Sequence, residues 1–102
     1  MIRPLASSAM KRVDFFVSER EIDRLCKAIR KAGAPGYSVM RHVTGWGLAG
    51  EISEAMDFSG LGANAHVVVF CDAEAIVALR EAVRPLLERF GGVGFVSEAE
   101  VF

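Results

Sequence analysis

The sequence predicts an α+β domain in which four antiparallel strands form one sheet and two helices cover one of its faces. Three observations predict it. Short β-branched and aromatic runs stand at residues 13–17, 37–44, 67–70 and 93–96. Two stretches with helical spacing of apolar residues, each closed by glycine, separate the first run from the second and the third from the fourth. Between the two halves lies a glycine-interrupted stretch, 45–64, without strong periodicity.

The elements follow in order. Val13-Asp14-Phe15-Phe16-Val17 suits a strand better than a helix. Ser18 and Glu21 then have the spacing of a capping box, and Ile22, Leu25, Cys26 and Ile29 recur at i, i+3, i+4 and i+7. These residues predict an amphipathic helix over 19–32, stopped by Gly33. After the Gly33-Ala34-Pro35-Gly36 turn, residues 37–44 read as a strand with Tyr37, Val39 and Val43 on one face. Val67-Val68-Val69-Phe70 is a third strand, and Asp72 is placed to cap a second helix carrying Ile76, Leu79, Val83, Leu86 and Phe90. Pro85 inside that helix is expected to kink it or to begin a distinct last turn. Gly91-Gly92 ends it, and Val93 to Val96 is the fourth strand.

The resulting order is β-α-β-loop-β-α-β, the split-βαβ or ferredoxin-like arrangement, with a long loop between strands 2 and 3. Right-handed crossovers place both helices on one side of the sheet and leave the other face bare. Phe15 and Phe16 point to opposite faces, and the third strand is apolar on both. The bare face is therefore expected to be covered by copies of the same subunit.

Composition bounds the function. A chain of 102 residues has room for one domain, and 52% hydrophobic content is high for that length. The 12 basic and 13 acidic residues give a net charge of −1 and no electrostatic footprint for nucleic acid or an anionic membrane. Residues 1–11 carry no apolar signal segment and no run approaches a membrane span, so the expectation is a soluble cytoplasmic chain without direct membrane insertion. Residues 1–11 are read as a flexible extension and residues 12–102 as the folded domain. Cys26 and Cys71 lie outside any CxxC framework, which favours reduced, packed thiols over a disulfide or a nucleophile.

Two pieces of candidate chemistry remain. A hairpin centred near Glu54 would set His42 beside His66, but no carboxylate or thiol stands at ligand spacing, so ordinary strand positions are favoured over a metal site. Gly45-Trp46-Gly47 followed by Gly50, and Gly91-Gly92-Val93-Gly94, are glycine-rich turns expected at the same end of the fold. Such turns let a ligand approach backbone N–H groups closely. Trp46 is placed to stack on a purine or to anchor a partner.

Four stretches resemble the PII signalling superfamily, and within it the PII-like branch associated with bicarbonate transport and carboxysomes. They are Gly36-Tyr37-Ser38-Val39 leading to Gly45-Trp46-Gly47, the long loop in the place of the T-loop, Phe90-Gly91-Gly92-Val93 in the place of the B-loop, and the terminal Val96-Ser97-Glu98-Ala99-Glu100-Val101. The resemblance covers residues 12–102, and Met10-Lys11-Arg12 is similar to the usual family start. It implies a homotrimer that is not an enzyme and has no prosthetic group. It further implies an adenine nucleotide in clefts between subunits and a T-loop, residues 45–64, that engages a membrane transporter or a metabolic partner. The positions it implies for adenosine contact are Gly36, Ser38, Gly45, Gly47, Val69, Gly91 and Gly92; Trp46 and Val93, beside them in the same turns, complete the candidate nucleotide-binding set.

The chain departs from the family pattern where phosphates are met. Gly45-Trp46-Gly47-Leu48-Ala49-Gly50 has no Lys or Arg, the B-loop lysine is missing around Val93, and Glu98 and Glu100 stand where arginines are usual. A triphosphate has few charge-assisted partners here, so AMP or ADP, or a small anion such as bicarbonate, is expected in preference to ATP. The sole tyrosine, Tyr37, lies on a strand, which argues against control by uridylylation. Two further readings share the fold: a metal-binding trimeric stress protein resting on His42 and His66, and a small dimeric α+β barrel enzyme.

Overall fold

The computed structural model describes residues 10–44 and 63–102. The chain runs β1 (Met10–Ser18), a 3-10 turn (Glu19–Glu21), α1 (Ile22–Lys31), β2 (Tyr37–Val43), β3 (Asn64–Asp72), α2 (Ala75–Phe90) and β4 (Val93–Ala99). The strands form one antiparallel sheet in the order β2-β3-β1-β4. The βαββαβ, ferredoxin-like reading holds.

β1 and β3 are longer than their β-branched cores, because the ladder rather than propensity sets their ends. Met10 lies opposite both Asp72 and Ala99, and Ser18 opposite Asn64. Asp72 is thus the last residue of β3 rather than a helix cap; Glu74 takes the N-cap position of α2 without a side-chain cap bond. Ser18 accepts a hydrogen bond from the Arg20 N–H at 3.2 Å, so it caps the 3-10 turn, while the Glu21 carboxylate accepts from Arg24 at 3.3 Å and no capping box closes. Gly33 stops α1 as expected. At φ 91° it donates to the Arg30 carbonyl, and Ala34 donates to Ile29, which together make a Schellman motif.

α2 continues through Pro85 to Phe90 without a break. Pro85 leaves the Glu81 carbonyl without its i+4 helical donor, on a turn where both residues are exposed. In the core, Leu87 rather than Leu86 continues the stripe of Ile76, Leu79 and Val83. Phe90 lies under the Arg24 guanidinium, 4.5 Å from its ring centroid.

Both helices pack on the face that carries Val13, Phe15 and Val17 of β1 and Ala65, Val67, Val69 and Cys71 of β3. Ile22, Leu25, Cys26 and Ile29 of α1 complete this core, each large aliphatic among them contributing roughly 1.5–3 kcal/mol by burial. Cys26 and Cys71 are free, buried thiols, both pushed up in pKa by burial, as packed rather than reactive cysteines are.

By register, the opposite face carries Arg12, Asp14 and Phe16, flanked by Met40, His66, Val68, Phe70 and Phe95. Met40, Phe70 and Phe95 are each nearly half exposed there, which makes this the apolar, uncovered face expected from the topology.

Candidate ligand-binding site

The Phe90-Gly91-Gly92-Val93 turn is built by glycine conformations that other residues strain to adopt. Gly91 ends α2 at φ 89° and donates to the Leu87 carbonyl at 2.9 Å; Gly92 follows at φ 120°. Val93 then opens β4 opposite Phe16. A Cβ on Gly92 would lie 2.8 Å from Val17 Cγ1 and 3.0 Å from the Phe16 carbonyl oxygen. The turn is therefore pressed against the end of β1, close to Ser18 and Asn64, the point where β2 and β3 also meet.

Gly36 and Ser38 occupy a different place. They are exposed at the beginning of β2, with Ser38 opposite Val68 and Tyr37 opposite Val69. Val69 lies in the interior strand β3, its side chain fully buried against the helices and its main chain between Tyr37 and Val13 in the sheet. β2 and β4 are the two sheet edges, three strand spacings apart, or about 14 Å. One chain therefore does not bring Gly36 and Ser38 together with Gly91, Gly92 and Val93. Gly45, Trp46 and Gly47 lie outside the described residues.

The β2–β3 register also separates the two histidines. Met40, not His42, lies opposite His66, and an extra residue on β2 puts Val43 opposite Asn64. This bulge moves Val43 to the face opposite that of Tyr37 and Val39, and it leaves His42 at φ 61°, the left-handed region. A His42–His66 pair is not formed, and among the described residues no group of three metal-ligating side chains occurs.

Each histidine instead meets a carboxylate that sequence reasoning missed. Glu19 accepts the His42 main-chain N–H at 2.7 Å, lies 3.4 Å from its Nδ1 and 3.9 Å from Arg41 Nη1, and donates its own N–H to the Ala63 carbonyl at 2.9 Å. On the uncovered face, His66 Nε2 and Asp14 Oδ1 are 2.7 Å apart, Arg12 binds both Asp14 oxygens, and the His66 ring stacks on Phe16 at 4.4 Å. The Arg12-x-Asp14-x-Phe16 alternation against Val13, Phe15 and Val17 was the available signal for a polar cluster on the bare face.

The Arg12 hydrogen bonds hold the Asp14 carboxyl below its ordinary range, against burial, with His66 adding to the effect. A carboxylate whose folded pKa is depressed stabilises the fold above its unfolded value and loses that contribution as pH falls through the folded one. The difference in urea midpoint between wild type and Asp14→Asn should be larger at pH 6 than at pH 3, the gap closing as pH falls below about 4. An equal gap at pH 3 and pH 6 would show that the Asp14 charge is not its source.

Residues 10–102 match the family model for nitrogen regulatory protein P-II. The chain belongs to the P-II family. Similar solved structures agree in fold. CPII of Thiomonas intermedia K12, bound to ADP, AMP and acetate, has 19% identity and a TM-score of 0.76, over 91% of this chain and 88% of that one. CPII bound to ADP and bicarbonate has 22% identity and a TM-score of 0.74, over 90% and 87%. A PII-like signalling protein of Thermus thermophilus has 18% identity and a TM-score of 0.69, over 90% and 87%. Among curated proteins none matches significantly. Among the described residues of this P-II chain, no helix is long and apolar enough to cross a membrane.

Proposed function

We propose that this P-II family chain is a cytoplasmic regulatory subunit of the PII-like branch, not an enzyme, that works as a homotrimer. Clefts between its copies take an adenine nucleotide, AMP or ADP in preference to ATP, or a small anion such as bicarbonate. Through residues 45–64 the bound state is passed to a transporter or to a partner in carbon or nitrogen metabolism.

The observation that carries this reading is the division of the ligand positions between two sheet edges. Gly36 and Ser38 stand on the β2 edge and Gly91, Gly92 and Val93 beside the β4 edge, so a cleft containing both needs the β2 edge of one copy against the β4 edge of the next. A closed ring of such contacts is heterologous and cyclic. The uncovered face, with Phe16, Phe70 and Phe95, supports it by supplying apolar surface that assembly would bury. The CPII structures, which hold ADP, AMP and bicarbonate on this fold, supply the ligand class.

Calorimetric titration of the purified protein with AMP, ADP and ATP, each with and without bicarbonate, tests the reading. Saturable binding of AMP or ADP, tighter than ATP, is the expected result. Silence from every nucleotide and from bicarbonate would remove the metabolite-sensing reading and leave only the fold.

A further inference from the structure

The glycine-rich turns of this chain lack the cations a phosphoryl group needs, yet a guanidinium and an imidazole meet at the end of β2. Arg41 and His42 stand side by side there with side chains 56% and 79% exposed, and both lean on Glu19, whose side chain is only 19% exposed. The bulge and the left-handed φ of His42 break the ladder between Met40 and Val43. Glu19 takes the place of the missing ladder bond by accepting the His42 N–H at 2.7 Å. Through its own N–H to the Ala63 carbonyl, it ties the beginning of β3 to the same point. A non-glycine residue at positive φ is held where the surroundings over-determine it, and here the carboxylate does so.

We propose that Arg41 and His42 form a donor corner that receives the phosphoryl group of the nucleotide, and that Glu19 is the positioning residue that holds it. The inference rests on the nucleotide reading above and names the residues that contact the phosphate. Guanidinium and imidazolium N–H groups make charge-assisted bonds to phosphoryl oxygens, and Arg presents a planar fork suited to them. Glu19 binds the main chain of His42 through Oε2 and stands 3.9 Å from Arg41, which leaves most of both side chains open to solvent. Arg41 supplies the positive charge and the exposed His42 ring a further N–H donor, a small set suited to one or two phosphoryl groups rather than three.

The experiment compares ADP with adenosine, which lacks the phosphates, on the full chain by calorimetry. The double variant Arg41→Ala/His42→Gln should weaken ADP roughly 10- to 100-fold and leave adenosine unchanged. Glu19 gives the sharper sign. By charge alone, removing a carboxylate beside the phosphate would tighten ADP, whereas loss of positioning weakens it. Glu19→Ala should therefore weaken ADP roughly tenfold, while Glu19→Gln, which still accepts the His42 N–H, should bind ADP at least as tightly as wild type. Hydrogen exchange at the His42 amide should speed up in Glu19→Ala and stay slow in Glu19→Gln. Wild type that binds ADP while the double variant binds it equally well, or loses adenosine in parallel, overturns the phosphoryl corner. Tighter ADP binding by Glu19→Ala, or an unchanged His42 amide, overturns the positioning role. Wild type silent to both ligands overturns the nucleotide reading itself, and this inference with it.

Discussion

Gly92→Ala lowers the stability of the domain by about 3 kcal/mol, from left-handed strain and overpacking acting together. At φ 120° any side chain is strained, and the added Cβ meets Val17 at 2.8 Å, the Phe16 carbonyl at 3.0 Å and Leu87 at 3.1 Å. Leu87 has a flexible end, but the Phe16 carbonyl is β1 backbone held in the ladder between His66 and Val93, so the turn itself must move. For a domain of this size the loss corresponds to a fall in Tm of roughly 12–24 °C. Gly33→Ala is the control: φ is also positive, at 91°, but nothing lies within 4 Å of the added Cβ, so only strain remains, about 1 kcal/mol. Thermal denaturation of the two variants checks the difference. Equal losses at the two glycines would show that packing under the Gly91-Gly92 turn is looser than described. Gly92 substitutions therefore report on the fold before they report on a ligand.

Phe95→Glu should reduce the light-scattering mass from three 11.0 kDa subunits to one while the far-UV circular dichroism stays as in wild type. Phe95 is 46% exposed on the uncovered face, with its ring edge-on to Phe16 at 6.4 Å, so a glutamate there is solvated in an isolated subunit. Between copies the same carboxylate would be desolvated beside Asp14, its cross-strand neighbour. Each interface then loses roughly 1.5–3 kcal/mol of aromatic burial and carries several kcal/mol of uncompensated charge burial, enough to disperse a ring assembled at micromolar concentration. Phe95→Leu should keep the mass of the wild type. A wild-type mass of one or two subunits would sink the trimeric reading, and a trimeric Phe95→Glu would place the interface elsewhere.

The elements were legible in the sequence because each rests on a local period. Ile22, Leu25, Cys26 and Ile29 make one helical stripe, Val13, Phe15 and Val17 alternate with Arg12, Asp14 and Phe16, and Gly33 and Gly91 close the helices because backbone of positive φ is needed there. The order of these elements is enough for the uncovered face, since crossover handedness leaves one face of a four-stranded sheet without helices. The glycines of the Phe90-Gly91-Gly92-Val93 turn were visible for the same local reason.

Register was not legible, because it is decided by the sum of all cross-strand contacts rather than by any one residue type. A shift of two residues from the expected pairing puts Met40 against His66 and dissolves the histidine pair; one inserted residue moves Val43 to the other face and turns His42 into the left-handed region. The two carboxylates that matter most, Glu19 and Asp14, read as ordinary surface acids until folding brings His42 and His66 to them from 23 and 52 residues away. Short-range periodicity was enough to say which segments are strand, helix and turn, and hence which fold they build. Which charges meet had to wait for the folded sheet, because contacts between distant residues follow from packing all four strands and both helices at once.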